Sequence, residues 1–180
     1  VDLSLTRVRV EANRSYNAGG VLSAHGIRAA SLIIDSSLIS ANVAITAGAG
    51  GIWNTGNSTL IVTGTRIISN VSNHAGGALY NSGSITFTQA TFTNSLILSN
   101  TASTSGGGGV YNNGTLRFAN STLAGNRLSP YPTSVGGAIW NQVGVVDVVV
   151  NRIDRNVADA AAGILNQLGG IVRMSGSIVR

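Results

Sequence analysis

The sequence predicts an all-β fold, a parallel β-helix (β-solenoid) of about six coils of roughly 28 residues with no evident caps. Two recurring segments predict it, together with their strict alternation along the 180 residues. A parallel solenoid is the fold in which such a period places equivalent residues of successive coils directly above one another.

The first segment has an aliphatic residue, a spacer, a second apolar residue, four mostly polar or small residues, a third apolar residue, two spacers and asparagine. It reads Leu3, Leu5, Val10, Asn13, then Leu32, Ile34, Ile39, Asn42, then Leu60, Val62, Ile67, Asn70. It returns as Leu116, Phe118, Leu123, Asn126 and as Val146, Val148, Ile153, Asn156. A looser copy is assigned to Ile85, Phe87 and Phe92, with a five-residue insertion before Ile97 and Asn100. The last copy is Val172, Met174, Val179. Apolar residues two apart and then five apart, with Gly, Asn, Ser and Thr between them, are strand alternation broken by corners, which excludes helical repeats. The leucines of a leucine-rich repeat are missing.

The second segment is three small residues, an aliphatic, a bulky residue and, in most copies, asparagine, at 18–23, 49–54, 76–81, 107–112, 136–141 and 161–166. Its last residue recurs at intervals of 31, 27, 31, 29 and 25, a variation that corner loops absorb without disturbing strand register. Two inward columns follow: Val21, Ile52, Leu79, Val110, Ile139 and Ile164, and Leu5, Ile34, Val62, Phe87, Phe118, Val148 and Met174. Six asparagines, Asn13, Asn42, Asn70, Asn100, Asn126 and Asn156, are expected as a structural ladder at corners, where asparagine tolerates left-handed backbone and stacked amides bond between coils. The glycines are expected where backbone meets backbone.

Composition removes several classes. A 43% hydrophobic chain is not disordered, and no apolar run reaches the roughly 18 residues of a membrane span. Without cysteine there is no disulfide scaffold, thiolate metal site or thiol nucleophile. The first residue is valine, and no basic-then-apolar leader precedes the repeats, so the chain is expected to be one solenoid domain cut from, or processed out of, a longer protein.

The paired motifs resemble the GGA-aliphatic and F-x-x-N repeats of the chlamydial polymorphic outer-membrane proteins and related bacterial surface proteins. They stand here as Gly76-Gly77-Ala78-Leu79 and Gly136-Gly137-Ala138-Ile139, with Val10-x-x-Asn13 through Ile153-x-x-Asn156; aliphatics replace most of the phenylalanines. The resemblance implies a right-handed parallel β-helix and an extracellular, adhesin-like or structural role.

Beside the inward aliphatic column runs a bulky one: Leu22, Trp53, Tyr80, Tyr111, Trp140 and Leu165. Strand alternation points these residues outward. They then cover the flanking small residues, form a protein contact surface or offer a platform for sugar rings; with reversed parity they are core.

No catalytic, cofactor or metal set is expected. Asp35 and Asp147 occupy different phases about four coils apart, and Asp154 and Asp159 are expected as solvated corner residues. His25 and His74 have no acidic sequence neighbour. Arg9, Arg66 and Arg152 share one repeat position and Arg117 and Arg173 another, both outward on non-adjacent coils, which is expected to serve solubility rather than nucleic-acid binding. Sequons at Asn13, Asn57, Asn70, Asn113 and Asn120 are what an Asn-rich composition produces.

The expected function is therefore a non-enzymatic extracellular or cell-surface structural element, adhesive or filament-forming, whose uncapped ends can self-associate head to tail. A glycan or another surface protein is the further partner expected. The alternative is a carbohydrate-binding or polysaccharide-cleaving β-helix domain.

Overall fold

The computed structural model describes residues 2–83, 88–128 and 135–180, without the side chains of residues 24–29. It is a parallel β-solenoid of about 6 turns with ~29-residue spacing, and no helix occurs among the described residues. One coil shows the plan. Ile52–Thr63 runs through both repeat segments as one strand, Arg66–Ile68 follows after a corner, and Val71–Ser72 after a second corner. Each pairs in parallel with its counterparts in the coils on either side, so three sheets run along the rod. In later coils the first stretch divides, as in Leu79–Ser82 and Gln89–Thr93.

The register confirms the inward columns. Ile52, Leu79, Val110 and Ile139 stand over one another and are fully buried. So do Ile34, Val62, Phe118 and Val148, along one core that also takes in Leu60, Leu116 and Leu123. Each such side chain removed from water contributes roughly 1.5–3 kcal/mol. Two expectations change. Ile85 and Phe87 lie outside the described residues, and their column place is taken by Phe92, paired with Val62 and Phe118, its ring 4.9 Å from that of Phe118. Ala90 fills the position before it, so this copy is regular and the extra residues precede the strand. Met174 is in register with Val148 but 45% exposed, because no coil covers its outer side.

The two corners follow one rule. A residue with positive φ makes the bend, and, except after Arg7, where Val8 follows, the next residue turns a polar side chain into the rod. At the second corner the bend residues are Ala12, Ala41, Ser69, Ser99, Gly125 and Arg155, each one residue before a ladder asparagine. The asparagines themselves are not left-handed, which corrects the expectation: the bend falls one residue earlier because the amide is needed inside, against the backbone the bend exposes. Asn100 is fully buried. Its Nδ2 donates to Asn126 Oδ1 at 3.0 Å and to the Ile67 carbonyl at 2.9 Å, while its Oδ1 accepts from Asn70 N and Nδ2, both at 3.0 Å.

At the first corner the bend residues are Arg7, Ser36, Gly64, Asn94, Asn120, Val150 and Gly176. The inward groups after them form a hydroxyl ladder through Ser37, Thr65, Ser95 and Ser121, each accepting a backbone N–H from the coil before, with Asn151 continuing it. A third ladder links Asn54, Asn81, Asn112, Asn141 and Asn166 through side-chain amides at 2.7–2.8 Å. Buried polar groups cost free energy unless bonded, and the ladders bond them.

Val150, at φ 53°, is the β-branched exception at this corner, where its equivalents include Gly64 and Gly176. A left-handed β-branched residue costs roughly 1–2 kcal/mol, and Val150 is exposed, so little packing offsets that cost. Val150→Gly is expected to raise stability by about 1 kcal/mol in chemical denaturation; a lowered midpoint would refute it.

Candidate functional site

The bulky column lies on the outer side of the first sheet. Leu22, Trp53, Tyr80, Tyr111, Trp140 and Leu165 occupy equivalent register positions in six successive coils. Their neighbours Ile52, Leu79, Val110 and Ile139 face the core, so alternation sends these side chains the other way. They are not evenly exposed. Leu22 is 52% exposed, Tyr111 is buried at 7%, and the other four are half-buried.

Ring stacking accounts for this. Trp53 meets Tyr80 edge-on at 6.0 Å, Tyr80 stacks on Tyr111 at 4.5 Å with 13° between planes, and Tyr111 meets Trp140 edge-on at 5.2 Å. The His74 ring lies 5.9 Å from Tyr80. The connecting loops close over the rings: Gly48 and Gly106 lie so close to Trp53 and Trp140 that a Cβ on either would overlap the indole. Gln142 accepts from the Tyr111 hydroxyl, and Gln167 Oε1 accepts from Trp140 Nε1 at 3.0 Å. Trp53 Nε1 and His74 Nδ1 are buried with no partner among the described residues.

Burial pushes the Tyr111 phenol up to about 12, with the adjacent Tyr80 adding to the effect. Tyr111 therefore stays neutral in the folded state after the unfolded chain has ionised. Its contribution to stability is complete below the ordinary tyrosine value and is lost as pH rises from about 10 to about 12. Alkaline titration followed by phenolate absorbance is expected to show one tyrosine ionising last, and the late component should vanish in Tyr111→Phe. A single uniform transition would contradict the buried placement.

The carboxylates are dispersed. Asp147 bonds Arg173 at 3.3 Å in the neighbouring coil, and Asp35 stands at a different position. Asp154, expected in solvent, is 5% exposed. Arg152 and Arg155 both bond its carboxylate, and Arg152 foremost holds it below the usual carboxylate range. It faces outward yet is buried, because the two guanidiniums beside it cover this last position of the second-sheet strand. The His25 side chain lies outside the description. Among the described residues no group of three His, Asp or Glu could hold a metal ion. Of the sequon asparagines, Asn70 is fully buried in the ladder, whereas Asn120 is exposed at a corner and donates to Asn94 Oδ1 at 2.6 Å.

No protein-family model matches the chain, and comparison with curated proteins and with solved structures finds none similar to it.

Proposed function

We propose that the chain is a non-enzymatic, extracellular structural β-solenoid, serving at a cell surface as an adhesive or filament-forming element, as the resemblance to polymorphic outer-membrane repeats implies. One observation carries this reading: the described coils stack in parallel in one constant register along three sheets, an architecture that a further strand in the same register extends. Leu3–Thr6 and Arg9–Glu11 pair on one side only, as do Ile171–Ser175 and Ile178–Val179 at the opposite end. A second copy continuing the same register sets Leu3 over Val172, Leu5 over Met174 and Val10 over Val179, and brings Glu11 to Arg180. Leu3, Met174 and Val179 are each about half exposed, so the contact removes apolar surface from water. These positions belong to the first and second sheets. Association of this kind is concentration-dependent. Electron microscopy of the concentrated chain tests the reading: short end-to-end rods are expected, and isolated particles at every concentration would defeat it.

The alternative, a carbohydrate-binding or polysaccharide-cleaving domain, draws on the aromatic column and the unpaired Trp53 Nε1 and His74 Nδ1. Release of shorter chains from a polysaccharide, lost on Trp53→Ala, would favour it.

A further inference from the structure

The coil register collects the arginines on one side of the rod. Arg9, Arg66 and Arg152 share an outward row of the second sheet. Arg14 and Arg127 share the outward row of the third. Arg7 and Arg155 are the bend residues at the two corners flanking the second sheet, and Arg180 follows its last strand. All eight are exposed. Three of them are paired: Arg9 bonds Glu11, and Arg152 and Arg155 bond Asp154. These eight are most of the chain's eleven arginines, set against six carboxylates in all.

Four of these arginines, Arg7, Arg14, Arg66 and Arg127, have no carboxylate within ion-pair distance among the described residues. Arg7, Arg9 and Arg66 also line one shallow groove, whose floor is Ser36, Ser37, Leu38 and Gly64. The groove is open over Gly64, where a Cβ would meet nothing nearer than 3.6 Å.

We propose that this face binds an acidic polysaccharide laid along the rod, without cleaving it and independently of the aromatic column. Arginine forks pair bidentately with carboxylate and sulfate groups, and an exposed guanidinium without a partner is free to do so. The spacing suits a sparse polyanion. Within a row the arginines stand two, three or four coils apart, roughly 10 to 20 Å at the usual interstrand distance. Duplex DNA places a charge about every 1.7 Å of its axis and would leave most phosphates unmatched. The paired rows of the second and third sheets hold no aromatic side chain, and the exposed Tyr16 beside Arg14 is a single ring, whereas single-stranded bases stack on successive ones.

The test uses the 180-residue chain against immobilised sulfated polysaccharide, polyuronate and duplex DNA at increasing salt. Binding to a polysaccharide is expected at about 50 mM salt and should be lost by about 0.5 M, where screening shortens the reach of exposed charges. Arg66→Gln with Arg127→Gln is expected to weaken it about tenfold, the worth of two exposed ion pairs. Arg117→Gln with Arg173→Gln removes the same charge from the first sheet and should change affinity less than twofold. Equal losses in the two double variants would overturn the assignment to this face. Absence of binding to both polysaccharides at low salt would overturn the proposal, and so would tighter binding to DNA. Trp53→Ala separates the two surfaces: it should leave this binding intact, and a loss there would move the site to the aromatic column.

Discussion

Replacing Asn100 by alanine is expected to destabilise the rod by about 3–5 kcal/mol, because several buried groups lose partners at once and each costs about 1–3 kcal/mol when unsatisfied. Asn70 N–H and the Ile67 carbonyl lose their bonds to this side chain, and the amides of Asn70 and Asn126 each lose one of theirs. Inside the ladder there is no solvent to replace them, since Asn70 and Asn126 are as buried as Asn100. Asn73→Ala, on an exposed side chain, should stay within about 0.5 kcal/mol of the parent. Chemical denaturation of the two variants makes the comparison. A loss below 1 kcal/mol in Asn100→Ala would mean that the amides stack without bearing on stability.

Gly77→Ala is expected to be comparably severe, at about 3–5 kcal/mol, for a different reason. The added Cβ would lie 2.4 Å from the Gly108 carbonyl oxygen and 2.6 Å from Thr101 N. Both are backbone atoms of the next coil, held in the ladder by Gly77 N–H to Gly108 O and by Thr101 N–H to Asn70 O. Relief therefore requires moving a coil rather than a side chain. Gly169→Ala is the matched control: nothing lies within 4 Å of its Cβ position, and the only cost is a positive φ of 79°. That cost is about 1 kcal/mol. Similar losses in both variants would show that conformation, not the close approach of coils, fixes the glycine at 77.

Much of this architecture was legible because the repeat marks side chains that must face inward. The aliphatic columns through Ile52 and Val62 and the Asn13 to Asn156 ladder follow from counting, since a stacked coil converts a repeated position into a spatial row. The count failed at Phe87, where two aromatics competed for one place and the correct partner at the preceding position, Ala90, was too small to register as an anchor. It also missed the hydroxyl ladder. Ser37, Thr65, Ser95 and Ser121 look like ordinary corner residues, and only their bonds to the preceding coil show that they do the same work as the asparagines. Asp154 was misplaced because sequence shows a charge at a corner but not the two guanidiniums folded over it.

The arginine face was hidden for a related reason. Arg9, Arg66 and Arg152 could be aligned by repeat position, but Arg7, Arg14, Arg127 and Arg155 occupy other phases. Their gathering onto one side depends on which corners flank the second sheet. The aromatic column was readable as outward from strand parity, whereas its closure by Gly48, Gly106 and the His74 loop was not, because those contacts join segments of variable length.

Sedimentation of the chain over a range of concentrations bears most directly on the proposal that the solenoid serves as a self-associating structural element. The predicted result is a weight-average mass that rises with concentration and returns to that of the 18.3 kDa monomer when Met174→Arg places a charge in the end contact. A mass that stays monomeric throughout, and is unmoved by Met174→Arg, would contradict it.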